Sequence, residues 1–402
     1  MSNRSPRFVW LVVAALIGPP SGARAAPTDE ECQVCHTDPA TRRSLDGKPL
    51  LVDEAKWKAS IHGEISVSCT DCHADLAGAE MPHAADLEPA QCATCHEKAV
   101  PAYEKGMHHL ARTDGKGVAA SCESCHGAAH EILASGDRRA PTHHLNQIGT
   151  CAKCHDDPRL ISSAKLRDGV VASYVDSIHG RAVKEAGLVV APTCASCHGA
   201  HDVRKAVDPA SPMARANQAA ACGTCHEGIS EKYVDGVHAA AMAKGEKKAP
   251  VCSDCHSAHS IQRHETTAWS LDVIGECGTC HKESLQSYRD TFHGHVTELG
   301  FTRMAKCADC HGAHDIAATT DPRSRVTGEN LIKTCRSCHP DATASFVKYD
   351  PHANPSDRKR GAPLYYTSLA MKGLLAGVFG FFGLHTVLWL ARGLVDKIRG
   401  GR

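Results

Sequence analysis

Apolar side chains along most of this chain recur only over short distances. Ile229, Tyr233 and Val237, like Leu285, Tyr288 and Phe292, stand three or four residues apart, the period of one helical face. Glycines such as Gly187, Gly245 and Gly300 follow these stretches and mark helix ends. The pattern predicts short amphipathic helices joined by extended connections, mainly α with little β. Two stretches depart from it. Arg4 and Arg7 precede an apolar run from Phe8 to Ile17, and Ala23-Arg24-Ala25 then supplies small residues for cleavage, so residues 1–25 read as a secretory signal peptide. Near the other end, Leu364 to Leu390 is apolar except for Lys372 and His385, long enough for a bilayer span of about 20 residues. One transmembrane helix is expected over 363–392, with a tail over 393–402 that carries Lys397, Arg399 and Arg402.

Composition changes the picture of the 26–362 region between them. Aromatic residues make up only 4% of the sequence, whereas 22 of its 402 residues are cysteine. Every cysteine falls into Cys-x-x-Cys-His. The pairs are Cys32/Cys35, Cys69/Cys72, Cys92/Cys95, Cys122/Cys125, Cys151/Cys154 and Cys194/Cys197, then Cys222/Cys225, Cys252/Cys255, Cys277/Cys280, Cys307/Cys310 and Cys335/Cys338. The histidines that follow are His36, His73, His96, His126, His155, His198, His226, His256, His281, His311 and His339. Two thiols at this spacing can each form a thioether to one porphyrin, and the adjacent imidazole then lies under the iron. Zinc ribbons and disulfide frameworks leave those eleven histidines unexplained. Eleven covalent c haems are therefore expected, with export in agreement. With 45 basic and 45 acidic residues there is no basic field for a nucleic acid, and haem propionates would add negative charge.

The motifs pair into repeats of about 30–85, 90–135, 149–205, 220–262 and 275–318, with a half repeat at 333–354. Between the two motifs of repeats two to five stands a lone histidine, His108, His179, His238 or His293, with Tyr103, Tyr174, Tyr233 or Tyr288 five residues earlier. Trp57 and His62 keep that relation in the first repeat, and His352 has a similar offset in the half repeat. A second histidine, His130, His201, His259 or His314, closely follows the second motif; the first repeat offers only His83, ten residues on. These eleven are the candidate distal ligands. A histidine three residues past its motif cannot reach around the porphyrin to its own iron, at about 3.5 Å per residue, so it must serve another haem and tie neighbouring units together. His109, His143, His144, His264 and His295 remain as spares, and the tyrosines are expected to pack against haem faces. About 31 residues per haem cannot build an aliphatic core, so an elongated, haem-stacked repeat of five two-haem units plus a half unit is predicted.

A haem held by two imidazoles has no open position for substrate and exchanges electrons only. The expected function is electron transfer, and the alternative is a terminal reductase of the nitrite, hydroxylamine or tetrathionate kind with one open haem. The Cys-x-x-Cys-His-Gly-x-His of Cys194 to His201 and Cys307 to His314 resembles multihaem cytochromes c of the cytochrome c3-like superfamily, over roughly residues 30 to 355. The segment Phe381-Phe382-Gly383-Leu384-His385-Thr386-Val387-Leu388-Trp389 resembles the first membrane helix of di-haem cytochrome b subunits, although a full cytochrome b has several such helices. That resemblance implies an inner-membrane quinone oxidoreductase of anaerobic respiration. It implies a membrane cytochrome b or quinone-reactive partner, periplasmic electron carriers, and a haem domain on the periplasmic side. It also makes His385, an ionisable residue inside an apolar helix, a candidate contact for a shared b haem or a quinone.

Overall fold

The computed structural model describes residues 26–43, 47–84, 87–113, 120–359 and 361–400; the expected signal peptide and Arg402 lie outside them. The described residues are mainly helical, with one isolated bridge, between Arg42 and Pro49, in place of any strand. They form two compact units. One comprises the chain up to Val171 with Ala186–Arg204; the other comprises Ala172–Glu185 with the chain from Lys205 onward.

The two cysteine motifs of a repeat are seated differently. The second one begins its own single turn, Cys69–Cys72, Cys122–His126, Cys194–His198, Cys252–His256 or Cys307–His311. The residue before the second cysteine closes that turn from inside. Asp71, Ser124, Ser196, Asp254 and Asp309 accept the backbone N–H of Ser68, Ser121, Thr193, Val251 and Lys306 at 2.7 to 3.0 Å, satisfying a donor that a helix start leaves unpaired. Four of these turns then stop abruptly on a left-handed residue: Gly127, Gly199, Ser257 and Gly312 have φ of 91°, 79°, 60° and 86°. The first motifs instead mostly close longer helices, as in Gln147–His155 and Thr267–Cys280.

The helical stretch expected around each lone histidine is broken in two. Glu54–Lys58 is followed by Ile61–Glu64, Ala99–Lys105 by Met107–Thr113, Val170–Asp176 by Ile178–Lys184, Glu227–Val234 by Val237–Ala243, and Lys282–Arg289 by Phe292–Glu298. Each lone histidine is the second residue of the second helix. In the first, third and fifth repeats that helix is capped by Ser60, Ser177 or Thr291, whose hydroxyl accepts the N–H of Gly63, Gly180 or Gly294 at 3.1 Å. A Cβ on any of those glycines would collide with the carbonyl oxygen of Trp57, Tyr174 or Tyr288 in the preceding helix. In the second and fourth repeats the glycine stands at the cap instead, because a Cβ on Gly106 or Gly236 would come within 2.7 Å of the His201 carbonyl oxygen or 2.9 Å of that of His314. The close approach fixes where the lone histidine points. Gly180→Ala should therefore cost at least ~2 kcal/mol and detach His179 from its partner, whereas Gly228→Ala, with open space around it, should be neutral. Thermal melts of the two variants check this.

Little of the interior is aliphatic. The buried apolar residues among those described number eleven, five of them alanine, and the largest fully buried side chains are Thr193, Ser60 and Ser211. The accessible surface is 28920 Å², against about 15,000 Å² for a folded chain of this mass. The last helix, Ala362–Ile398, extends past the expected span at its C-terminal end; it is long and apolar enough to cross a membrane, and none of its apolar window is buried.

Candidate haem sites and their histidine pairs

The histidine of a cysteine motif repeatedly faces one of the candidate partner histidines. In the first unit the pairs are His36 with His83, His73 with His130, His96 with His62, His126 with His201, and His155 with His108. In the second they are His226 with His179, His256 with His314, His281 with His238, His311 with His352, and His339 with His293. Ring centroids lie 5.9 to 6.4 Å apart in all ten. Two imidazoles bound on opposite sides of one metal, each through a bond of about 2 Å, would have their centroids about 6 Å apart, too far for direct stacking and right for an ion between them. The remaining motif histidine, His198, belongs to the first unit, and the remaining candidate, His259, to the second.

The pairs obey a rule. A lone histidine faces the first motif of the following repeat, as His108 faces His155 and His238 faces His281. A histidine that follows a second motif faces the second motif of the preceding repeat, as His201 faces His126 and His314 faces His256. Adjacent repeats thus exchange one imidazole in each direction. A backbone clasp holds the exchange in register: Ile61, Met107, Ile178 and Val237, each just before a lone histidine, donate to the carbonyls of Ile132, Val203, Ile261 and Ile316 at 2.8 to 2.9 Å. The acceptors each stand two residues beyond a second-kind histidine. At the ends, where a neighbour is missing, His83 and His352 fill the vacant roles.

The cysteines give the order of the sites within each unit. The thiols of Cys32 and Cys69, Cys92 and Cys122, Cys151 and Cys194, Cys222 and Cys252, and Cys277 and Cys307 are hydrogen-bonded neighbours, one pair per repeat. Between repeats, Cys72 senses the charge of Cys92 and Cys95, Cys125 that of Cys154, Cys255 that of Cys277, and Cys310 that of Cys335 and Cys338. Successive motifs are therefore neighbours in space from Cys32 to Cys197 and again from Cys222 to Cys338. Burial, aided by Asp29, pushes the Cys69 thiol up to about 12.

Burial lowers the pKa of His62, His108, His126, His130, His179, His238, His256, His293 and His311, with the facing histidine adding to the shift. Neutral imidazole is the form that binds a metal, so these rings are ready ligands at neutral pH. Several are oriented through Nδ1, which leaves Nε2 for the metal: His36 reaches the Leu50 carbonyl at 3.1 Å and His352 the Ser287 hydroxyl at 3.0 Å.

Of the spares, His144 Nε2 reaches the Ala191 carbonyl at 2.8 Å, His143 Nδ1 accepts the Leu145 N–H at 3.3 Å, and His109 stacks edge-on with Tyr103. The tyrosines have a task that spacing alone does not show. Tyr103, Tyr233 and Tyr288 donate their hydroxyls to the carbonyls of Ala120, Pro250 and Ala305 at 2.8 to 3.0 Å, tying the broken helix to the entrance of the next motif. The signal for it is a constant separation of 17 residues, ending two before a cysteine. His385 lies exposed within the last helix.

The chain is similar to c-type cytochromes. It is 24% identical over 345 residues to the high-molecular-weight cytochrome c of Nitratidesulfovibrio vulgaris strain Hildenborough, a match covering 77% of this chain and 55% of that one. It is 30% identical over 219 residues to the C-type polyheme cytochrome OmcC of Geobacter sulfurreducens, covering 47% and 25% respectively. The chain therefore spans about half the length of the first relative and a quarter of the second. No family model and no solved structure matches it. The likeness supports a multihaem c-type cytochrome, and the residues present fit that group: paired thiols, facing imidazoles, and an interior that the side chains alone do not fill.

Proposed function

We propose that this chain is an electron-transfer cytochrome that holds eleven c haems by thioethers, each between its motif histidine and one of the candidate distal histidines. The facing of motif histidines with partner histidines at about 6 Å carries the reading. When bound, a haem with two imidazole axial ligands supplies one-electron exchange at low potential, since no methionine ligand raises it. The polypeptide's part is to saturate both faces of each site, which denies substrate a coordination position, and to hold successive sites side by side. The adjacency of successive cysteine motifs supports conduction in chain order within each unit.

The membrane helix supports anchoring at the inner membrane with the haem domain on the periplasmic side. We place the exchange with a membrane quinone or cytochrome b partner near Cys335/Cys338, the motif closest in sequence to that helix, and exchange with periplasmic carriers at the far end. His385 would face the membrane partner.

The pairing rule gives a direct test. His238→Ala should open one haem in eleven, seen as a high-spin band, and the opened haem should belong to Cys277/Cys280 rather than to the motifs flanking His238 in sequence. Adding Cys277→Ser and Cys280→Ser should abolish the band together with that haem. A band that survives the added substitutions would overturn the pairing.

A further inference from the structure

The ten facing pairs are not held equally. Five partner histidines ride on helices whose starts are fixed by caps or close backbone approaches, and His130, His201 and His314 are secured by the backbone clasp two residues downstream. Of the two that fill vacant roles at the ends, His352 is latched from a distant helix: its Nδ1 meets the Ser287 hydroxyl at 3.0 Å, and its own N–H is held by Asp350 at 2.8 Å. His83 differs. It lies in a connection outside any helix, after Met81 and Pro82, which are both exposed, and its ring bonds at 2.7 Å to the carbonyl of its own neighbour Ala84. That bond moves with the ring and anchors it to nothing else. The ring opposite is His36, beside the exposed Cys35, so this site is reached by solvent.

A tethered ligand outcompetes a free one in proportion to how well its tether keeps it in place. An imidazole on a capped helix stays at the metal; one on a connection with a purely local bond leaves more readily. We infer that the Cys32/Cys35/His36 site is the one position in the array where the distal histidine, His83, gives way to a small neutral ligand of the diatomic class. The inference rests on the electron-transfer reading above and adds to it a gated binding site at the N-terminal end of the array.

Carbon monoxide tests this on the full-length, haem-loaded protein after complete chemical reduction, with uptake read from the Soret band. Wild type should bind one equivalent. His83→Ala should still bind one, but with affinity raised tenfold or more if the open fraction in wild type is below about a tenth. His352→Ala should bind a second equivalent. Wild type that binds none at saturating gas while His83→Ala binds one would show that His83 is firmly held and would overturn the inference. So would two equivalents in His83→Ala, because the wild-type opening would then lie elsewhere. Counting haems by mass in the same samples separates this from failure of the underlying reading: fewer than eleven adducts per chain would fault the reading itself.

Discussion

Exported without haem attachment, the chain should stay largely unfolded outside its last helix. Fewer than a dozen small apolar side chains are buried among the described residues, while 28920 Å² of surface remains accessible, nearly twice what a folded chain of this mass exposes. Ordering each backbone residue costs about 1–2 kcal/mol, and an interior whose largest fully buried side chains are Thr193, Ser60 and Ser211 cannot offset that. The isolated helices are also too short, at four to fourteen residues before the last one, to persist alone in water. Porphyrin faces have to supply the missing contacts, so cofactor attachment and folding are one event. Circular dichroism and limited proteolysis of chain produced in cells lacking haem attachment should show loss of most helix signal and of protected fragments. A stable, protease-resistant haem-free domain would contradict the account.

Ending the chain at Gly361 should move the cytochrome wholly into the soluble fraction with its haem content unchanged. Ala362–Ile398 leaves its apolar side chains uncovered by the rest of the chain, Phe379, Phe381 and Trp389 each more than 60% exposed, an arrangement that water penalises and a bilayer rewards. Fractionation of the truncated and full-length proteins, followed by haem staining, measures the shift. Retention of the truncated protein on membranes would transfer the anchoring role to another surface.

How far the architecture could be read from the residues depends on the range of the interactions. Thioether chemistry is local, so Cys-x-x-Cys-His stands out without any fold, and so does the lone histidine after a tyrosine or tryptophan. Partner choice is not local: His314 faces His256 across 58 positions and His352 faces His311 across 41, and no spacing rule distinguishes these from other assignments. The break before each lone histidine also escapes a helical-period reading, because Ile229, Tyr233 and Val237 keep the period through it. Its trace is compositional: Ser60, Ser177 and Thr291 with glycine three residues on, or Gly106 and Gly236 at the cap itself. The aspartate or serine before the second cysteine was equally visible and silent, since its meaning depends on which motif begins a turn and which ends one. Ser257 shows the same logic in reverse. It occupies, at φ of 60°, the left-handed position that glycine fills after three sister motifs, a conformation that disfavours side chains.

The two-way trade of imidazoles between neighbours also limits how such a protein can grow. Splicing in one more complete unit would let the newcomer lend and borrow on both sides, and no iron would be left short. Splicing in a solitary motif would strand a metal with a bare face. Length in this architecture would then change by twos in the middle, and odd totals would require a custom-made terminus of the kind that His352 provides.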